Sequence, residues 1–150
     1  MARLTPGNRM VEWAGWIITL AGMGHTLGSL VEAAPDHAGT WFGGGWNLGD
    51  YPDMSDATVA WWYSVFSFGP PLLLIGLTVL WMNRRGMTPP LFVSWAMVAW
   101  VVVGFVVDGP SPLPILLVAA GLLLADARRA RRHGNTPPRA GTASGARVES

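Results

Sequence analysis

The stretch ATVAWWYSVFSFGPPLLLIGLTVLWM, residues 57–82, decides the fold class of this chain. It contains no charged side chain, and it is longer than the about 20 residues that a helix needs to cross a bilayer. Of the 150 residues, 51% are hydrophobic and only 13% are charged, which is too apolar for an ordinary soluble domain of this size. The stretch therefore predicts a transmembrane helix.

Three further apolar segments, 12–31, 91–107 and 113–125, predict three more membrane spans. The last is short, but the arginines that follow it can extend it by snorkelling; three spans plus an interfacial helix is the alternative. The first segment is too long for a signal peptide and is expected to be retained. We therefore predict an all-α fold, a four-transmembrane-helix bundle over residues 1–132, with a long extracytoplasmic loop between helices 1 and 2. Residues 133–150 are predicted to form a disordered cytoplasmic tail.

The arginines predict the orientation of these spans. They occur before helix 1, between helices 2 and 3 and after helix 4, whereas residues 32–56 and 108–112 contain none and hold six of the nine acidic residues. The positive-inside rule then places both termini in the cytoplasm of a multi-pass cell-membrane protein.

Gly69-Pro70-Pro71 lies near the middle of the second span and predicts a kink. The two prolines cannot donate hydrogen bonds to the carbonyl groups of Phe66 and Ser67. At membrane depth such carbonyls persist only where protein or a wet cavity satisfies them, so the bend either fits the helix to its neighbours or forms part of a pocket.

The polar faces of the helices indicate a pocket in the outer half of the membrane. On helix 1, His25, Ser29 and Glu32 share a face opposite the leucines, and Gly24-x-x-x-Gly28 on its edge predicts close helix packing. Ser94, Met97, Val101, Gly104 and Asp108 make the corresponding face of helix 3. Because ionisable groups inside a span are costly, we predict that one site contains the following catalytic candidates: His25, Glu32, Tyr63 and Asp108.

Each of these candidates also has a structural interpretation. His25 can hydrogen-bond to a neighbouring helix, Glu32 can be a solvated helix end, and Asp108 can cap its own turn. The residues predicted to bind a ligand are Ser29, His37, Trp62, Ser67 and Trp100. The aromatic residues and glycines of the 32–56 loop predict a lid over the pocket.

Three functions remain open from the residues alone. The first is a pocket that binds a small apolar molecule and, if the protein is an enzyme, isomerises, cyclises or hydrolyses it. The second is a non-catalytic accessory or immunity-type protein, and the third is a small transporter component that works as a homo-oligomer. The chain has no cysteine and no recognisable metal or cofactor motif, and its arginines beside a span indicate lipid contact rather than nucleic-acid binding.

Trp13-x-x-Trp16, Gly22-x-x-His25-x-x-Gly28, His37 and Trp41-Phe42 together resemble an uncharacterised family of small four-helix bacterial membrane proteins. The resemblance covers about residues 10–128 and implies a topology without a catalytic residue. In size and helix count the chain is also similar to the DoxX-like proteins and to the sterol-isomerase-type (EXPERA) membrane fold.

Reporter fusions test the orientation directly. Because the arginines mark the cytoplasmic side, we expect fusions after residues 45 and 110 to be extracytoplasmic and those after 86 and 140 to be cytoplasmic. A cytoplasmic signal at residue 45 would contradict the four-span topology.

Overall fold

The computed structural model describes residues 8–44, 54–108 and 114–134, with Asp108 and His133 as backbone only. All regular secondary structure in these ranges is α-helical, which confirms the all-α prediction. The helices are α1 (Arg9–Phe42), α2 (Asp56–Ser64), α3 (Gly69–Arg84), α4 (Leu91–Asp108) and α5 (Ile115–Gly134). Helix α5 includes residues 133 and 134, the first two of the predicted tail, and residues 135–150 lie outside the described residues.

Helix α1 is longer than its predicted span. It begins after the N-cap Asn8 and continues through Pro35 to Phe42, so the predicted 32–56 loop is wrong for its first eleven residues. Apolar periodicity stops at Val31, but the alanines that follow favour helix and Trp41 buries its ring near the end. The rest of the predicted lid, residues 45–53, lies outside the described residues.

The predicted kink is confirmed as a break between α2 and α3. Helix α2 ends at Ser64, and α3 starts at Gly69 with prolines in its first turn, where no helical donor is lost. Ser67 bridges the break, because its Oγ accepts from the Gly69 backbone N–H at 3.3 Å and donates to the Ser64 carbonyl at 3.1 Å.

Backbone contact between α1 and α3 depends on glycines. A Cβ atom on Gly22 would lie 2.5 Å from the Leu73 nitrogen and 2.6 Å from the Gly69 carbonyl oxygen, and one on Gly76 would lie 2.5 Å from the Thr19 nitrogen. We call this contact of Gly15, Thr19 and Gly22 with Gly69, Gly76 and Leu80 the glycine seam.

Gly24 and Gly28 do not pack against another helix within the described part of the chain. No atom of the other described helices lies within 4 Å of either Cβ position, because both glycines lie on the side of α1 that faces away from the glycine seam. Gly24 and Gly28 do form a strip of small residues on α1. The sequence alone does not tell which side of α1 the neighbouring helix covers.

Helix α1 is at the centre of the arrangement. It packs against α3 and α5 and, near its C-terminal end, against α2, while α4 packs against α5. The predicted inner face of α4 is confirmed for four of its positions, since Ser94, Met97, Val101 and Gly104 are all buried. Two of the helical stretches in the described ranges are long and apolar enough to cross a membrane, Arg9–Phe42 and Asp56–Arg84, and Leu91–Val107 is a shorter apolar helix.

A polar cluster joins three helices at the end of the molecule where the arginines lie, which we call the arginine end. The Asn8 backbone N–H donates to the Asn83 Oδ1 at 2.9 Å, and the Asn8 side chain donates to the Asp126 carboxylate. Asp126 follows the apolar segment 113–125. Burial raises the pKa of its carboxyl above the ordinary value, against the opposing effects of Arg129 and of the hydrogen bond from Asn8.

Alanine substitutions separate the two kinds of glycine. Gly22→Ala forces a methyl group against the backbone of α3, and we expect it to lower the free energy of unfolding by about 1–3 kcal/mol. Gly28→Ala meets no neighbour, so it should raise this free energy by up to about 1 kcal/mol through helix propensity. Thermal unfolding in detergent measures both, and equal destabilisation by the two variants would contradict the seam.

Candidate functional site

A cleft of about 330 Å³ lies between the C-terminal half of α1 and α2. Five of its lining residues come from one face of α1, at spacings of three and four residues, and two come from α2. The described lining residues are Ser29, Glu32, Ala33, Asp36, His37, Ala60 and Tyr63.

Trp41 holds α2 against α1 and so forms the end of the cleft. Its ring is buried, its Nε1 donates to the Ala57 carbonyl at 2.8 Å, and its centroid lies 5.3 Å from that of Trp61 in an edge-on contact. Ser55 caps α2, with its hydroxyl accepting from the Thr58 backbone N–H. These contacts fix the register that brings Ala60 and Tyr63 over the polar face of α1.

The described lining of the cleft contains two carboxylates and neither lysine nor arginine. Glu32 and Asp36 lie one helical turn apart, and the chain contains no lysine or arginine between Arg9 and Arg84. Tyr63 is 74% exposed, so its phenol can both donate and accept at the mouth of the cleft. The cleft therefore offers two carboxylates, an imidazole, a phenol and a hydroxyl to one bound molecule.

The structure brings together part of the predicted site. Of the catalytic candidates, Glu32 and Tyr63 line the cleft, together with Ser29 and His37 from the predicted ligand-binding set. Asp36 was not predicted, although its position one turn after Glu32 on the same face is a signal that the sequence contains. The side chain of Asp108 lies outside the described residues.

His25 lies outside the cleft lining, in a layer of stacked rings. Its ring lies on that of Phe68 with centroids 3.9 Å apart, and Phe68 meets Trp100 edge-on at 5.6 Å. The His25 Nε2 is buried and has no hydrogen-bond partner among the described residues. Ser29, on the same face of α1, donates to the His25 backbone carbonyl at 2.8 Å.

Trp100, predicted to bind a ligand, lies outside the cleft lining as well, and so do two other predicted ligand-binding residues. Trp62 is half exposed and packs near Phe66, with ring centroids 5.1 Å apart. The hydroxyl of Ser67 makes its hydrogen bonds within the break between α2 and α3, to Ser64 and Gly69. Both residues belong to the segment that positions Tyr63, and neither faces the same space as Glu32.

The described residues contain no group of three His, Asp or Glu side chains that could hold a metal ion. The buried Asp126, which sequence reasoning missed, lies at the opposite end in the polar cluster with Asn8. Its signal in the sequence is an isolated acidic residue immediately before an arginine-rich segment.

The helices and the cleft define a small all-helical protein with two helices of membrane-spanning length and an acidic cleft at the end away from its arginines. The chain belongs to the family of unknown function DUF6463, whose family model matches residues 9–130. This confirms the resemblance to an uncharacterised family. No curated protein and no solved structure matches the chain, so the likeness to the DoxX-like and EXPERA proteins is not confirmed.

Substitution of His25 tests whether its imidazole has only a packing role. His25→Phe keeps a ring on Phe68 and removes the unpartnered nitrogen, so we expect the free energy of unfolding to rise by about 1 kcal/mol. His25→Ala removes the stacked ring and should lower it by about 2 kcal/mol. Thermal unfolding of both variants checks this, and destabilisation by His25→Phe would show that Nε2 has a partner in the native protein.

Proposed function

We propose that this chain is a four-span membrane protein with both termini in the cytoplasm. The proposal is supported by two helices of spanning length, by the shorter apolar helix Leu91–Val107, and by tryptophans exposed toward the ends of the helices. The separation of charge also supports it: the polar cluster around Asn8 joins the arginine-bearing helix ends, whereas the cleft at the other end carries only carboxylates as formal charges.

The function that the geometry supports best is binding of a small, largely apolar molecule in the outward-facing cleft. The observation that carries it is the convergence of Ser29, Glu32, His37 and Tyr63 on one space between α1 and α2. Two exposed apolar side chains lie close in sequence to Tyr63: Val59 in α2 and Phe66, which follows α2. A molecule dissolved in the membrane would keep its apolar part against these side chains and place a polar group among the carboxylates.

The same groups are those that acid–base catalysis uses. A carboxylate, an imidazole and a phenol beside one another can exchange a proton with a bound molecule, as isomerisation, ring closure or hydrolysis requires. Catalysis in this cleft would use Glu32, His37 and Tyr63, with His25 acting through the packing of the helix break rather than by contact. Catalysis would therefore require binding in the same cleft, followed by chemical conversion of the bound molecule.

An accessory role through contact with another membrane protein is the second candidate function. The observation that favours it is the exposed strip at Gly24 and Gly28, because small residues allow a partner helix to approach closely within lipid. The two functions use different faces of α1, so substitutions separate them.

Copurification of a small molecule tests the binding proposal. The wild-type protein and Glu32→Gln would be purified from producing cells into nanodiscs, and bound small molecules would be identified by mass spectrometry. We expect a molecule that is enriched with the wild type and reduced about tenfold with Glu32→Gln, since a hydrogen bond to a charged group is worth about 1.5–3 kcal/mol.

Asp56→Asn is the matched control. It also removes one carboxylate from the acidic end of the molecule, but Asp56 is not among the residues that line the cleft. The control should retain the molecule at the wild-type level. Equal loss in Asp56→Asn and Glu32→Gln, or no enriched molecule in the wild type, would contradict binding in the cleft. Gly28→Leu places a large side chain on the exposed glycine strip. If this variant alone loses the bound molecule and also loses a copurifying protein, the result would favour the accessory role.

A further inference from the structure

A second concave surface lies at the arginine end of α1, far along the helix from the cleft. Its described lining consists of Arg9, Glu12, Trp13 and Trp16, which form one face of the first two turns of α1 and enclose about 360 Å³. We call this surface the α1 groove. The proposed cleft function does not use it.

The α1 groove presents one positively and one negatively charged side chain. Arg9 and Glu12 lie one helical turn apart, where β-carbons are about 5–6 Å from each other. The structure contains no ion pair between them, and each side chain is exposed. A guanidinium and a carboxylate at this separation fit a ligand that carries an anion and a cation a few bonds apart.

The two tryptophans supply the apolar part of the groove. Trp13 is 65% exposed and Trp16 is 43% exposed, although both rings are large and apolar. Tryptophan favours the level of the lipid headgroups, where its ring contacts acyl chains and its N–H reaches water. The groove therefore combines a charged rim with an apolar wall. The rim is complementary to a charged phospholipid headgroup, and the wall is complementary to the less polar glycerol region beneath it.

We propose that the α1 groove binds the headgroup of phosphatidylethanolamine in the cytoplasmic leaflet. Arg9 holds the phosphate through charge-assisted hydrogen bonds, and Glu12 accepts hydrogen bonds from the primary ammonium group. This inference rests on the membrane placement proposed above and is independent of the cleft.

The charges of the α1 groove distinguish phosphatidylethanolamine from other phospholipids. The quaternary ammonium of phosphatidylcholine has no N–H to donate, so it leaves the Glu12 carboxylate without a hydrogen-bond donor. Phosphatidylglycerol carries a phosphate and no cation, so Glu12 would repel it while the arginines of the same end attract it. Selection of phosphatidylethanolamine therefore depends on Glu12, whereas binding of any phospholipid here depends on Arg9.

Lipid retention measures both dependences. The protein would be placed in phosphatidylcholine nanodiscs that contain equal minor fractions of phosphatidylethanolamine and phosphatidylglycerol, and retained lipids would be counted by native mass spectrometry after release into detergent. We expect the wild type to retain phosphatidylethanolamine preferentially. Arg9→Gln should lower this retention about tenfold, and Glu12→Gln should abolish the preference while phosphatidylglycerol retention rises.

Arg84→Gln is the matched control, because it removes an exposed arginine at the same end that is not part of the described groove lining. It should retain phosphatidylethanolamine like the wild type. Since Arg9 and Glu12 are exposed, thermal unfolding should confirm that all variants are folded.

The outcomes separate this inference from the proposed function. A wild-type protein that inserts into nanodiscs but shows no preference, or an Arg84→Gln loss equal to that of Arg9→Gln, would overturn the groove alone. A wild-type protein that fails to insert would overturn the membrane placement and the inference with it. Loss of the cleft molecule without loss of lipid preference would leave the groove supported.

Discussion

The direct backbone contact of α1 with α3 determines the positions of the other parts of this molecule. At Gly22 the two helices approach so closely that a single methyl group would meet the backbone at Leu73 and Gly69. Since Gly69 is the first residue of α3, this contact places the break between α2 and α3 beside the middle of α1. The chain before the break then continues as α2 along the second half of α1, and the cleft is the space between them.

The sequence predicted those features that depend on local signals. A long uncharged segment, two adjacent prolines and residues at helical spacing are properties of one segment, so the apolar part of each helix, the break and the buried face of α4 could be predicted. The glycine seam could not, because it depends on which segments meet. Gly24 and Gly28 form a familiar motif and face outward, whereas Gly22 and Gly69 form a contact between two helices that no single-helix pattern contains.

The candidate site also depends on contacts between segments that the sequence of one segment does not predict. The sequence assigned Ser29, Glu32 and Tyr63 to one region because each lies on a polar face near the same end of its predicted helix, and it placed His37 in the loop beside them. His25 satisfies the helix-face criterion, yet its ring is stacked on Phe68 at the break between α2 and α3. The hydrogen bond between Asn8 and Asp126 joins residues at opposite ends of the chain, and nothing in either local sequence identifies the other as its partner.

The two ends of α1 are held by different interactions, and this difference determines where the molecule can move at least cost. At the arginine end, Asn8 is hydrogen-bonded to buried groups of both α3 and α5, and separating them would leave polar groups unsatisfied. At the other end, the contacts of α2 with α1 include the hydrogen bond from Trp41 to the Ala57 carbonyl and the edge-on contact of the Trp41 and Trp61 rings. Helix α2 is also separated from α3 by the break, so it can tilt without disturbing the glycine seam. Under the proposed function, a molecule would enter the cleft at least cost through a movement of α2 about residues 65–68, with His25 and Phe68 in contact at the pivot.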